Sequence, residues 1–151
     1  DIGAEHEGYA ADISRTYALQ KPSQRQSDVF DAVFDVQSYA FSVLKPGVVL
    51  KEYEQQVQHK VGEKLLQLGL IQANNAESVR KYYPHAASHH LGLNVHDVGD
   101  YGQPLGPGMV ITVEPGIYIP EEGIGVRIED DVVVTDTGIE VLSDALPSKL
   151  Y

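Results

Sequence analysis

Residues 108–135 read GMVITVEPGIYIPEEGIGVRIEDDVVVT, and this stretch decides the fold class. Val110 to Val113, Ile117 to Ile119 and Gly125 to Val134 are rich in β-branched residues and bounded by Pro or Gly, as strands are, and Glu140 to Leu142 adds a short one. Alternation sets Val113 on one face of its strand and Thr112 and Glu114 on the other, while Arg127 and Glu129 share a face opposite Ile128. A glutamate that ends an apolar strand just before Pro115-Gly116 is poor strand chemistry, although a solvated edge accommodates either glutamate alone. Asp130 shares a face with Ile128 and Val132 and Asp131 lies further along, so alternation does not separate Glu129 cleanly from these rivals.

Upstream of this stretch the period changes. From Gln24 to Leu44, Val29, Val33, Val36, Ala40 and Val43 recur at helical spacing, with Ser23 as the N-cap and Lys45-Pro46-Gly47 as the stop. A second amphipathic helix is expected from Lys51 to Leu68, with Tyr53, Val57, Val61, Leu65 and Leu68 on one stripe and Gly69 as its cap. Asn74 to Tyr82 reads as a short third helix, and His85 to Gly108 as loop and turn. Asp1 to Leu19 reads as two strands joined near Glu5–Gly8. Two strands, two or three helices and then several strands make an α+β domain, with helices on one face of a mainly antiparallel sheet.

The length of 151 residues fits one domain, 1–151, and 42% hydrophobic residues suffice for a core. A formal net charge of −11 argues against nucleic acid or an anionic membrane surface as the main partner. The absence of cysteine removes disulfides, thiolate metal sites and a cysteine nucleophile. No apolar run suggests a membrane span, and with no signal-peptide or lipidation pattern the expected location is the cytoplasm. A chain that opens on Asp1 rather than Met is expected to be the C-terminal portion of a longer protein.

Candidate chemistry lies in acids and histidines. With a turn centred between His6 and Glu7, Asp1 faces Asp12 across the hairpin, where two carboxylates repel unless a cation lies between them. Four of the six histidines fall at His85, His89, His90 and His96, and a bend at Gly92 is needed for His89 and His96 to meet. Two aspartates, one histidine and two glutamates drawn from these segments form an oxygen-rich donor set with one imidazole, suited to Mn²⁺, Co²⁺ or Zn²⁺ and able to hold two ions about 3.5 Å apart. No G-x-S-x-G motif or phosphate-binding loop occurs.

Four motifs in order, DIGAEHEGYAADISRTYAL, HAASHHLGLNVHDVG, GMVITVEPGIYI and GIGVRIEDDVVVT, closely resemble the catalytic domain of the aminopeptidase P and prolidase branch of the pita-bread metallopeptidases. The resemblance implies a curved antiparallel sheet with helices on one face, N-terminally incomplete here. It implies that Asp1 chelates one ion, that Asp12 and Glu129 bridge two, and that His89 and Glu114 complete the second site. Two divalent ions, foremost Mn²⁺, are the implied cofactors. Glu114, His96, His85 and Arg127 would act in catalysis, the last three of them also on the substrate side. The implied substrate is a peptide with proline in second position, cut ahead of that proline. A dipeptide-restricted prolidase and a non-catalytic binding module are the alternatives, and homo-oligomers occur in such families. Ala86-Ala87 stand where the family usually has Gly-Leu, and the segment from Ile119 to Gly125 is shorter than in many relatives.

Overall fold

The computed structural model describes residues 1–148, so the last three residues of the expected 1–151 unit lie outside the described residues. In chain order the elements are β1 (Glu5–His6), β2 (Tyr9–Ala10), α1 (Gln24–Val43), α2 (Leu50–Gln67), α3 (Ala76–Arg80), β3 (Val110–Val113), β4 (Gly116–Ile119), β5 (Ile124–Arg127), β6 (Asp130–Val134) and β7 (Ile139–Val141). The α+β order expected from the sequence is the order observed, and every described strand pairing is antiparallel.

Helix α1 starts with a reciprocal cap. Gln26 N–H donates to Ser23 Oγ at 3.2 Å, and Ser23 N–H donates to Gln26 Oε1 at 2.8 Å. Its buried stripe of Val29, Val33, Val36 and Ala40 meets the α2 stripe of Tyr53, Val57, Val61 and Leu65, all of them essentially inaccessible. Burial of each such valine or leucine contributes roughly 1.5–3 kcal/mol, which makes this helix pair the framework on which the strands are laid. Gln37 is the exception, a polar side chain at 2% exposure on the buried face of α1. Helix α3 is shorter than the expected Asn74 to Tyr82, because Asn75 Oδ1 caps it by accepting from Ser78 N–H at 2.9 Å.

The strands are shorter and more divided than the sequence suggests. Strands β3, β6 and β7 form one sheet in the order β3-β6-β7, while β4 pairs with β5 and β1 with β2. The run expected from Gly125 to Val134 is interrupted at Ile128-Glu129, between β5 and β6. The interruption does not shift the register. Val113 pairs with Asp130 and Gly116 with Arg127, so the unbroken count sets Glu114 opposite Glu129 and Pro115 opposite Ile128. Helix α1 packs on β3, β4 and β5.

The amino-terminal hairpin corrects one expectation. Its turn centres between Glu7 and Gly8, whose φ values of 53° and 84° are those of a two-residue type I′ turn. His6 therefore pairs with Tyr9 and Ile2 with Ile13, which places Asp1 opposite Ser14 rather than Asp12. The misread register differs by two residues, so Asp1 and Asp12 still share a face, as diagonal neighbours. An isolated bridge from Ser14 to Glu129 joins the hairpin to the later strands, and a second from His90 to Ile111 joins the histidine-rich loop to β3.

Candidate metal centre

These bridges bring remote segments to one place. Ligand atoms of Asp12, His89 and Glu129 lie within 4.8 Å of one another. His89 Nε2 is 3.6 Å from Asp12 Oδ2 and 3.4 Å from Glu114 Oε1. The other ring nitrogen of His89, Nδ1, is 3.0 Å from the carbonyl oxygen of His90. A carbonyl only accepts, so Nδ1 carries the proton, and in the neutral ring the Nε2 lone pair is aimed at the carboxylates.

Each carboxylate is held from its own element. Glu114 N–H donates to the Ala87 carbonyl at 2.8 Å, and Thr112 Oγ1, on the same strand face, donates to Glu114 Oε1 at 3.2 Å. Glu129 is 1% exposed, and its Oε2 accepts from Ser14 Oγ at 2.6 Å. Burial pushes the Glu129 carboxyl up to about 7; Glu114 and Asp12 add to the rise, and the Ser14 hydroxyl and Arg127 oppose it. Asp12 donates its N–H to Asp131 Oδ2 at 3.1 Å. Asp131, left as a rival to Glu129 by the sequence, lies beneath Asp12, its carboxyl pushed up to about 6 chiefly by burial. Asp130 turns to the opposite side, where its carboxylate accepts from Arg15, Gln37 and Ser143.

Asp1 does not join the close cluster. Its exposed carboxylate pairs with Arg127 Nη2, while Arg127 Nε donates to Ser14 Oγ at 2.9 Å and lies 3.6 Å from Glu129 Oε2. The guanidinium thus links Asp1 to the Ser14–Glu129 pair. His96 is exposed and lies against His89 with ring centroids 4.3 Å apart and planes inclined at 56°, the encounter that the bend at Gly92 allows. His85 Nδ1 lies 3.8 Å from Glu114 Oε2, and Tyr118 hydroxyl is 2.8 Å from His85 Nε2. Tyr118, Ser14 and Thr112 were missed by the sequence reading. The signal was alternation alone, since Thr112, Glu114, Gly116 and Tyr118 share one face and Ser14 lies two residues beyond Asp12.

The donor set fits a divalent cation. Asp12, Glu114 and Glu129 bring three carboxylates around one imidazole lone pair, with Arg127 the only cation recorded in contact with one of the three among the described residues. Like charges so placed favour a bound dication over bare ionisation.

The chain belongs to metallopeptidase family M24, whose model matches residues 1–136. The fold is the pita-bread fold of that family. Over 167 aligned residues the chain is 40% identical to Xaa-Pro aminopeptidase of Escherichia coli (strain K12), with 99% of the chain and 38% of that relative covered. The structure of Pseudomonas aeruginosa aminopeptidase PepP superposes with a TM-score of 0.89 at 38% identity, covering 96% of the chain and 37% of that protein. Zn-substituted E. coli aminopeptidase P in complex with product superposes at 0.85 and 37% identity, covering 95% and 37%. The chain therefore spans between one third and two fifths of the length of these relatives.

Proposed function

We propose that this chain is the metal-bearing portion of a longer metallo-aminopeptidase that hydrolyses the bond between an N-terminal residue and proline. The observation that carries the reading is the convergence of Asp12, His89 and Glu129, with Glu114 at 3.4 Å from His89, around one point on the strand face. Likeness to Xaa-Pro aminopeptidase and to a zinc-substituted aminopeptidase P supports it.

In this reading Asp1, Asp12, His89, Glu114 and Glu129 would hold two divalent ions, foremost Mn²⁺. When bound, such ions polarise the scissile carbonyl and make a nearby water acidic enough to attack near neutral pH. The protein's own groups supply the proton transfers. Glu114 accepts the proton of the attacking water and passes it to the departing proline nitrogen. Thr112 steadies Oε1, which leaves Oε2 turned toward His85. His96 donates to the oxygen on which negative charge develops, and His85, oriented by Tyr118, lines the proline side. Arg127 holds Asp1 and Ser14 in place and steers the substrate. An Xaa-Pro bond has no N–H on its proline side, so a site that grips the carbonyl oxygen suits it better than one that needs that donor.

The test is hydrolysis of Xaa-Pro-Xaa peptides by the Mn²⁺-loaded full-length protein, with Xaa-Pro dipeptides in parallel. Cleavage ahead of proline in the longer peptides, abolished in Glu114→Ala with unchanged circular dichroism, is the expected result. Dipeptide cleavage alone marks a prolidase, and wild-type turnover by Glu114→Ala overturns the assigned role.

A further inference from the structure

The amide of Gln37 supplies a hydrogen-bond donor that the strand ladder lacks at the metal centre. Ile128 N–H donates to the Pro115 carbonyl at 3.4 Å, which marks Pro115 and Ile128 as a pair that ordinarily exchanges two bonds. Pro115 has no N–H to return, so the Ile128 carbonyl is left without its ladder donor beneath the site. Gln37 Nε2 lies 3.3 Å from that carbonyl, 3.3 Å from the Val113 carbonyl and 2.9 Å from Asp130 Oδ2. Three acceptors surround one nitrogen, which fixes the orientation of the amide.

The three acceptors belong to residues that flank Glu114 and Glu129. Val113 precedes Glu114, while Ile128 and Asp130 stand on either side of Glu129. We infer that Gln37 is a positioning residue, which replaces the missing Pro115 donor from helix α1 and so holds Glu114 and Glu129 at the separation that binds metal. Without it, one buried carbonyl is unsatisfied and the strand break at Ile128-Glu129 is free to widen. A merely space-filling residue at this place needs no donor. The inference rests on the metal reading above.

The experiment uses the full-length protein with Gln37→Met, which keeps volume and helix propensity but removes the donor. Co²⁺ binding is followed by calorimetry and by the visible absorption of the bound ion. Backbone hydrogen exchange over residues 126–131 is followed without metal. Gln37→Met is expected to weaken Co²⁺ binding about tenfold, alter the absorption band and speed exchange. Pro115→Ala in that background restores an N–H at residue 115 and is expected to recover most of the affinity and the protection. Wild-type affinity and exchange in Gln37→Met overturn the assignment, as does a loss that Pro115→Ala fails to recover. A wild-type protein that binds no Co²⁺ overturns the metal reading instead. The metal-free exchange data then show separately whether Gln37 completes the ladder.

Discussion

Glu114 and Glu129 are cross-strand partners, set opposite each other by the register that runs unbroken from Val113 and Asp130 to Gly116 and Arg127. Theirs is the non-hydrogen-bonded kind of pair, because the flanking pair, Pro115 and Ile128, carries the ladder bond. That is the closer of the two spacings in an antiparallel ladder, about 4.5 Å between Cα atoms. Two carboxylates at this spacing on one face repel, and the strand pair holds them there at a cost in stability.

Relief of that repulsion has a measurable sign. Glu129→Gln keeps an oxygen for the Ser14 hydroxyl and removes the opposed charge. Metal-free Glu129→Gln is expected to be more stable than wild type, by up to about 1 kcal/mol, and to lose most of the stabilisation that Mn²⁺ confers on wild type. Thermal melts of both proteins with and without Mn²⁺ check both halves. Lower metal-free stability in the variant contradicts the electrostatic account.

The position of His96 depends on Asp97. Asp97 accepts from Leu93 N–H at 3.0 Å, Asn94 Nδ2 at 3.1 Å and Val98 N–H at 2.9 Å, which fixes the bend that brings His96 onto His89. Asp97→Ala is expected to lower kcat about 10–100-fold by misplacing His96. The loop is exposed, so the thermal midpoint should move little. Steady-state kinetics beside a melt decide it, and unchanged kcat rejects the role.

Stability should also carry a pH dependence from Glu54. Burial raises its carboxyl above the usual value, opposed by bonds from the Ala87 N–H at 2.8 Å and the Tyr83 hydroxyl at 3.3 Å. A carboxyl raised in the folded state favours folding most when neutral. Its contribution is therefore full below the ordinary glutamate range and falls as pH rises through the raised folded value. Glu54→Gln should flatten this part of the stability–pH curve while keeping an acceptor for Ala87. Denaturant titrations from pH 4 to 8 test it, and parallel curves for the two proteins count against the assignment.

The start of α1 gives a purely structural check. Ser23→Ala removes the side-chain half of the reciprocal cap and is expected to cost about 1 kcal/mol, read as a lower urea midpoint with unchanged slope. No shift would mean that Gln26 alone secures the helix end.

Much of this was open to inspection before folding. The valine stripe of α1 and the Tyr53–Leu65 stripe of α2 are set by a 3.6-residue period, a local property of the chain. Strand alternation likewise put Thr112 with Glu114 and Arg127 with Glu129, because successive side chains point to opposite faces whatever the partner strand is. Local chemistry was misjudged at Asn75, which caps a shorter α3, and at Glu7, which adopts the left-handed region that glycine usually takes and shifts the register of the Asp1–Asp12 hairpin by two residues.

The amino-acid order by itself determined the two long helices and the strand-rich later part, and it set Thr112 with Glu114 and Arg127 with Glu129 on common faces, since these follow from backbone geometry over a few residues. Only the tertiary structure decided that Glu114 opposes Glu129, that Ser14 reaches Glu129, and that Gln37 reaches the Ile128 carbonyl. Those pairings join residues up to 115 positions apart, and their register depends on burial of the core and satisfaction of buried backbone groups across the whole fold.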